Sequence, residues 1–485
     1  MMVAKEAGEM QTSALRYREA RQRHWDMVAV KRDAWQSLGA YYHRRLEQVY
    51  AHLVSPGQRV LEIGCGKGEL LASLRPSLGV GIDLSEEMVK RAALTYPDLR
   101  FIHADVHELA LDETFDVIIL SDLVNDLWDI QDVFNRLRTV STMETRIILN
   151  MYSRLWEIPL LVGQHLGLST PLLQQNWVTL EDIENMLALA GFEVIRSWQE
   201  MIWPFDAPVV ADLLNKFAVK LWPVNHLALA NFVIARPRSS GKETGLEGIV
   251  SVVIPARNEA GNIEEIIRRT PEMGKGTEMI FVEGNSGDNT YEVIGKSISN
   301  HPGKRCKLLK QEGKGKGDAV RLGFQNASGD ILMILDADMT VPPENLPRFY
   351  EAIVTGEGEF INGVRLVYPM EKQAMRYVNL VGNKFFSLAF SWIFGQPIKD
   401  TLCGTKVLTR RNYEKIAGNR HYFGEFDPFG DFDLLFGAIK QNLKIVEIPI
   451  RYAERRYGST NIDRWRHGWM LLKMTLFAMK KIKFI

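Results

Sequence analysis

The chain has 485 residues, of which 46% are hydrophobic and 24% charged, the balance of a soluble globular protein too long for one ordinary core and suited to about two or three domains. Its 59 basic and 59 acidic residues cancel, which leaves no electrostatic footprint for nucleic acid. Cys65, Cys306 and Cys403 are far apart, odd in number and without CxxC spacing, so neither a disulfide framework nor a zinc site is indicated.

The N-terminus, MMVAKEAGEMQTSALRYREARQRHW, is polar and charged where a signal peptide needs an apolar core. Together with the cysteine pattern this gives the expectation of a cytoplasmic protein. Further on, Arg59 to Leu71, RVLEIGCGKGELL, is an apolar strand entering a loop with Gly64, Gly66 and Gly68, followed by a helix-compatible segment. Glycines permit the tight turn and the close approach of a ligand. The next strand, GVGID, ends at Asp83, about 20 residues beyond Glu62, where an acidic group can bind ribose hydroxyls. A third, RFIHADV, ends at Asp105. A nicotinamide-dinucleotide fingerprint reads GxGxxG, whereas this loop reads GxGxG with Glu62 two residues before the first glycine. The difference favours S-adenosylmethionine, which has no pyrophosphate.

Together with the strand FDVIIL, this ordered set resembles the class I methyltransferase family over roughly residues 40 to 235. The resemblance implies a Rossmann-like sheet. It implies that Glu62, Gly64, Gly66 and Gly68 form the cofactor loop, with the glycines close to the methionine part. Asp83 would then bind the ribose, Asp105 and Val106 would flank the adenine, and Ser121 to Asn125 would face the methyl group. Methyl transfer is an in-line displacement at a sulfonium, so positioning and desolvation supply most of the help, with a base only where the acceptor must lose a proton. His24, Tyr41, Tyr42 and His43 lie in a segment able to cover the site. None is assigned as that base, since a lone His or Tyr there is more often packing or surface.

The clearest seam is Arg236 to Gly248, RPRSSGKETGLEG, between the apolar runs NFVIA and IVSVVIP. The expected division is a methyltransferase domain with an N-terminal helical cover at 1–236, a linker at 237–248 and a second domain at 249–485. Both domains read as alternating strands and helices, the pattern of α/β folds with a largely parallel sheet.

In the second half, IVSVVIPARNE is a buried-strand run that breaks at Pro255 into a polar loop. EMIFVEGNSGDNT ends in acidic and turn residues, and GKGKGDAVRLGF is a basic glycine loop. ILMILDADMT then delivers Asp336 and Asp338 on either side of Ala337 at a strand end. Positions two apart on a strand point the same way, so the two carboxylates can hold a divalent cation beside a diphosphate. Alone, such a pair is more often a turn former or a cap. The order of the motifs resembles glycosyltransferase family 2, especially its dolichol-phosphate mannosyltransferase-like members, over roughly residues 248 to 462.

That resemblance implies a GT-A type nucleotide-sugar-binding fold in which Pro255, Arg257, Asn258 and Glu259 line the nucleobase and ribose. Lys316 and Asp318 would lie near the nucleotide, and Asp336 and Asp338 would bind Mg2+ or Mn2+. Glu283, Gly284 and Asn285 stand where many relatives carry two aspartates and a glycine. Downstream, Arg365, Arg376, Asn383, Asp400, Gly404 and Lys406 resemble the acceptor side of polyprenyl-phosphate enzymes, with Lys406 where an arginine is commoner. Arg455, Arg456 and Ser459 would serve phosphates, which guanidinium groups suit through two parallel hydrogen bonds. Asp400, Asp431 and Asp433 are candidates for a base if the acceptor is a hydroxyl. Capping of a helix start is an equally open role for Asp431 and Asp433.

Tyr377 to Gly395 approaches the length of a membrane span but is interrupted by Asn383 and Lys384, whereas a spanning helix needs about 20 predominantly apolar residues. It reads as an amphipathic helix. The tail RWRHGWMLLKMTLFAMKKIKFI mixes apolar and basic residues without an acid, a composition suited to an anionic membrane surface or to a core-packing helix with a basic end. The combined expectation is a bifunctional transferase, able to lie on the cytosolic face of a membrane. It would perform metal-dependent inverting transfer from a nucleotide sugar to a polyprenyl phosphate or related lipid or glycan acceptor, and S-adenosylmethionine-dependent methylation on the same pathway. The alternative is a glycosyltransferase with a non-lipid acceptor, its first half a non-catalytic S-adenosylmethionine-binding or scaffold module.

Overall fold

The computed structural model of the chain describes residues 2–31, 36–166, 172–241, 247–365, 377–422, 432–451, 455, 457 and 464–485. It forms two compact units, Met1–Arg238 with Phe484–Ile485, and Ser239–Lys483.

The first unit carries strands β1 (Arg59–Ile63), β2 (Leu78–Asp83), β3 (Arg100–His103), β4 (Phe115–Ser121), β5 (Ser141–Tyr152), β6 (Phe192–Glu200) and β7 (Ala230–Pro237). They lie in the order β3-β2-β1-β4-β5-β7-β6. β1 pairs in parallel with β2 and with β4, and β4 with β5. β7 runs antiparallel to both of its neighbours. The continuous apolar run of β4 reflects burial on both faces. Ile118 and Leu120 enter one core with Phe134 and Leu187, while Val117 and Ile119 enter another with Tyr50 and Phe232.

Helices α1 (Met2–Lys31), α2 (Gln36–Leu53), α3 (Glu69–Ser73), α4 (Glu86–Thr95), α5 (Ile130–Leu137), α6 (Glu157–His165), α7 (Leu180–Leu189) and the short α8 (Val210–Asp212) complete this unit. Their starts are chemically marked. Ser85 accepts the Met88 N–H at 3.2 Å, with Glu86 and Glu87 in the first turn of α4. Asp129 accepts the Asp132 N–H at 2.9 Å to open α5.

The second unit has strands β8 (Val250–Ala256), β9 (Thr277–Glu283), β10 (Arg305–Lys310), β11 (Ile331–Ile334), β12 (Phe360–Val364), β13 (Lys406–Thr409) and β14 (Ile445–Pro449). Their order is β10-β9-β8-β11-β13-β12-β14. β8 is parallel to β9 and to β11, whereas β13 is antiparallel to β11 and to β12. The helices are α9 (Ile263–Arg269), α10 (Thr290–Asn300), α11 (Lys316–Asn326), α12 (Leu346–Val354), α13 (Tyr377–Phe394), α14 (Arg410–Gly418), α15 (Phe432–Lys440) and α16 (Arg464–Ala478).

The aromatic ends of α13 and α15 interlock, Phe390 lying 5.3 Å from Phe432 between ring centroids. The basic C-terminal helix is spent in part on this same core. Leu471, Met474, Ala478 and Ile482 form a stripe at helical spacing that is buried there, whereas Trp469 and Leu476 stay exposed. No helix among the described residues is long and apolar enough to cross a membrane. Both sheets are therefore two-sided α/β layers, and strand order reverses at the β1/β4 and β8/β11 neighbours. In open α/β sheets, ligands bind beyond the carboxyl ends of the strands at such a reversal.

Candidate active sites

At the first reversal, a cavity of about 760 Å³ is lined by Glu62, Gly64, Gly66, Asp83, Asp105, Val106, Ser121 and Asp122, with Arg21 and Trp25 from α1. Small-ligand pockets span about 300 to 1,000 Å³. A side chain at Gly66 would meet only open space, so the loop shows bare backbone to the cavity, whereas a Cβ at Gly68 would stand 2.6 Å from the Phe101 ring. Gly68 does not line the cavity; it permits close packing against β3.

Asp83 accepts the Gly66 N–H and the Ser85 N–H, each at 2.8 Å. It thereby ties the glycine loop to β2 and to the start of α4, and burial pushes its carboxyl up. Asp105 accepts the His107 N–H at 2.9 Å and lies 2.7 Å from His107 Nδ1. Burial opposes its charge, yet the bonds to His107 hold it below the usual carboxylate range. Glu62 is buried, its Oε2 lacks a hydrogen-bond partner, and burial raises it well above the ordinary range. An orphaned acceptor at the wall of a cavity fits a ligand that brings its own donors.

The long helix α1 covers this cavity. Arg21 Nε reaches Asp126 Oδ1 at 2.9 Å with both side chains largely buried, and Trp25 Nε1 donates to Asp126 Oδ2 at 2.8 Å. Sequence reading missed this anchor because its partners lie more than 100 residues apart; the only local signal was an acid in a loop after a strand. It also missed Asn150, which joins Asp122 at the end of β5.

The second reversal gathers charge. Asp336 Oδ1 meets Lys316 Nζ at 2.8 Å, Lys316 being the first residue of α11. One terminal nitrogen of Arg455 reaches both Glu259 Oε1 at 2.8 Å and Asp338 Oδ2 at 3.2 Å. Thr340 donates its N–H and its hydroxyl to Asp338 Oδ1 at 3.1 and 2.7 Å, and Ala337 between the aspartates is buried. Burial disfavours the Asp336 charge, but Lys316, helped by Lys406 and Arg365, holds the carboxyl below its ordinary range. At Glu259 burial prevails over Arg455 and pushes the carboxyl up to about 7.

Arg365 is gripped by Asp400, Nε to Oδ2 at 2.7 Å and the second nitrogen to Oδ1 at 2.8 Å, a bidentate pair. Burial disfavours the Asp400 charge, yet Arg365 keeps the carboxyl below the usual range. Asp433 accepts from Arg420 Nε at 2.8 Å. Glu447, which sequence reading did not single out, accepts the Lys399 N–H at 2.9 Å and fixes the loop before Asp400.

Around the β8 end, Asn258 adopts φ +57 and accepts the Gly287 N–H at 2.7 Å. Glu283 accepts the Ser286 N–H at 2.5 Å, and Asp318 accepts Gln311 Nε2 at 2.9 Å. Pro255 is half-buried and Arg257 exposed at the same strand end, while Asn383 lies on α13. Arg376, Asp431, Arg456 and Ser459 lie outside the described residues.

Two transferase classes meet these descriptions. Residues 60–142 match the family model described as methyltransferase domain, and residues 251–416 match glycosyl transferase family 2. The chain joins a methyltransferase domain to a family 2 glycosyltransferase domain. A dolichol-phosphate mannosyltransferase of Pyrococcus furiosus is 30% identical over 240 residues, which cover 46% of this chain and 64% of that relative. An undecaprenyl-phosphate 4-deoxy-4-formamido-L-arabinose transferase of Edwardsiella ictaluri is 28% identical over 219 residues, covering 44% and 62%. The chain thus spans less than two thirds of the length of these curated relatives. Among solved structures, glucosyl-3-phosphoglycerate synthase of Mycobacterium tuberculosis aligns with a TM-score of 0.37 at 20% identity, covering 48% of this chain and 80% of that one. An S-adenosylmethionine-dependent methyltransferase of Thermotoga maritima aligns with a TM-score of 0.34 at 15% identity, covering 45% and 99%.

Proposed function

We propose that the chain is a bifunctional transferase. Its second unit transfers a sugar from a nucleotide sugar to a polyprenyl phosphate with inversion, and its first unit methylates from S-adenosylmethionine on the same pathway. The names of the two curated relatives, both transferases of the polyprenyl-phosphate kind, support the lipid acceptor.

The observation that carries the reading is the opposition of carboxylates and cations at the β8/β11 reversal, Asp336 with Lys316 and Asp338 with Arg455. The residues present fit a divalent cation. A Cβ on Gly404 would fall 1.9 Å from Asp336 Oδ2, so only a glycine leaves room for the carboxylate there. No cluster of three or more His, Cys, Asp or Glu suited to a metal occurs among the described residues. Asp336 and Asp338 would hold the ion, with hard oxygens of the diphosphate and water completing the shell, as Mg2+ accepts. When bound, the ion neutralises charge on the leaving diphosphate.

The chain's own groups do the rest. Lys316 and Arg455 stand to bind the diphosphate once a donor and cation draw on the aspartates, stabilising the charge that develops as the anomeric C–O bond breaks. Arg365, held by Asp400, is the cation placed to meet an acceptor phosphate, which a guanidinium suits. The acceptor oxygen attacks the anomeric carbon opposite the leaving group, in a single displacement that inverts the centre. An ionised phosphate needs no general base, which agrees with Asp400 and Asp433 being committed to ion pairs. Covalent fusion favours consecutive steps on one product.

The test is transfer of radiolabelled sugar from a sugar-nucleotide panel to polyprenyl phosphate with Mg2+. Label is expected in the organic phase, and Asp338→Asn is expected to reduce it at least about 100-fold. Label that forms product yet stays aqueous would contradict the lipid acceptor.

A further inference from the structure

The methyl-transfer cavity holds a polar assembly that the cofactor reading leaves unused. Immediately after β4 the chain takes a left-handed turn at Asp122, φ +53, an arrangement that bulky residues rarely adopt and that recurs at functional sites. The turn sets the carboxylate between two donors. Tyr42 of α2 donates its hydroxyl to Asp122 Oδ1 at 2.7 Å, and Asn150 of β5 donates its side-chain N–H to the same oxygen. Tyr50, two turns further along α2, donates to Asn150 Oδ1 at 2.7 Å. That bond fixes which way the amide points, so its N–H is aimed at Asp122. Both bonds fall on Oδ1, which leaves Oδ2 for a group in the cavity that Asp122, Ser121 and Tyr152 line.

We propose that Asp122 is the proton acceptor of the methyl-transfer site and that the methyl acceptor is a proton-bearing nucleophile, a hydroxyl or an amine. The inference rests on the S-adenosylmethionine reading of this cavity. In the step, the nucleophile's lone pair forms the bond to the methyl carbon. The S–CH3 bond breaks with its electron pair passing to sulfur, and the proton of the nucleophile moves to Asp122 Oδ2. Tyr42, Tyr50 and Asn150 are positioning residues. Burial pushes the Asp122 carboxyl up to about 6 against the two hydrogen bonds, which suits a group that is ionised at neutral pH yet more basic than a surface aspartate. The phenols that face it, Tyr42 and Tyr50 from α2 and Tyr152 from β5, are each raised by burial and stay neutral. His43 of α2 and Glu62 of β1 also line the cavity.

The test needs no knowledge of the acceptor. Sinefungin places a carbon-bound ammonium where S-adenosylmethionine carries its methyl group, and S-adenosylhomocysteine places nothing there. Calorimetry on the full chain should show sinefungin bound at least about tenfold tighter at neutral pH, the effect of one charge-assisted hydrogen bond. That preference should fall as pH drops through the Asp122 titration. It should collapse towards parity in Asp122→Asn and be partly retained in Asp122→Glu, with S-adenosylhomocysteine affinity nearly unchanged in both. His43→Gln should leave the pH dependence in place. A wild-type protein without the preference, or an Asp122→Asn variant that keeps it, would overturn the proposal. Failure of both ligands to bind would remove the S-adenosylmethionine reading itself and the inference with it.

Discussion

Gly404 shows how a single missing side chain shapes the polar site at the β8/β11 reversal. Its Cβ position is 1.9 Å from Asp336 Oδ2 and 2.5 Å from Lys316 Nζ, so an alanine would push apart the Asp336–Lys316 pair. For Gly404→Ala we expect sugar transfer to fall by about 100-fold, the effect of a displacement near 1 Å at a reacting centre. Thermal unfolding should reveal a cost of only about 1–3 kcal/mol. Unchanged turnover would show that Asp336 is not at the reacting end. The aspartates themselves were legible in sequence as the polar end of an apolar run, but β11 stops at Ile334 and both lie beyond it, so strand alternation is not what places them. The cations that face them were legible as motifs but not as partners, since Lys316 precedes Asp336 by a helix and Arg455 lies 117 residues beyond Asp338. Asp400 shows the same limit. As an isolated acid it was open to a base role, and only folding brings Arg365 against both of its oxygens.

At the scale of elements, strand ends carried most of the information. A strand that is apolar to its end and then polar announces both a buried sheet position and a polar edge, which is why Asp83 and Asp336 could be located from sequence; Glu62 lies within β1 and Asp105 after the mixed strand β3. Helix contributions were less legible. The tail after Arg464 has a membrane-like composition, yet the stripe Leu471, Met474, Ala478 and Ile482 faces the core; composition does not reveal which side of a helix is spent. Helix α1 mixes apolar and charged residues and gave no sign that Arg21 and Trp25 would close on Asp126. Without the Asp126 carboxylate, Arg21 keeps the backbone carbonyls of residues 126 and 174 as acceptors but loses its compensating charge, which for a buried guanidinium costs several kcal/mol. Asp126→Ala is therefore expected to strip hydrogen-exchange protection from residues 12–31 and to weaken S-adenosylhomocysteine binding by about tenfold or more. Glu19→Ala, which breaks only an exposed pair with Arg23, should do neither. Retained protection in Asp126→Ala would mean that α1 is held by packing alone.

At the scale of the whole molecule, two sheets with different strand orders each supply one reversal point and one polar site. The order of motifs along the chain was sufficient to expect this pairing, because each set is contained within one compact unit. The central claim is that the two units carry independent chemistries converging on one lipid-borne product. The most direct measurement is mass spectrometry of products from the full chain incubated with S-adenosylmethionine, a sugar-nucleotide panel, polyprenyl phosphate and Mg2+, beside Asp338→Asn and Asp122→Asn. The wild-type protein is expected to give a glycolipid carrying one sugar and one methyl group. Asp122→Asn is expected to give glycolipid without methyl, and Asp338→Asn no new glycolipid but intact S-adenosylhomocysteine binding. Methyl groups found only on molecules unrelated to the glycosylated lipid, loss of glycosyl transfer in Asp122→Asn, or loss of S-adenosylhomocysteine binding in Asp338→Asn would contradict the central claim.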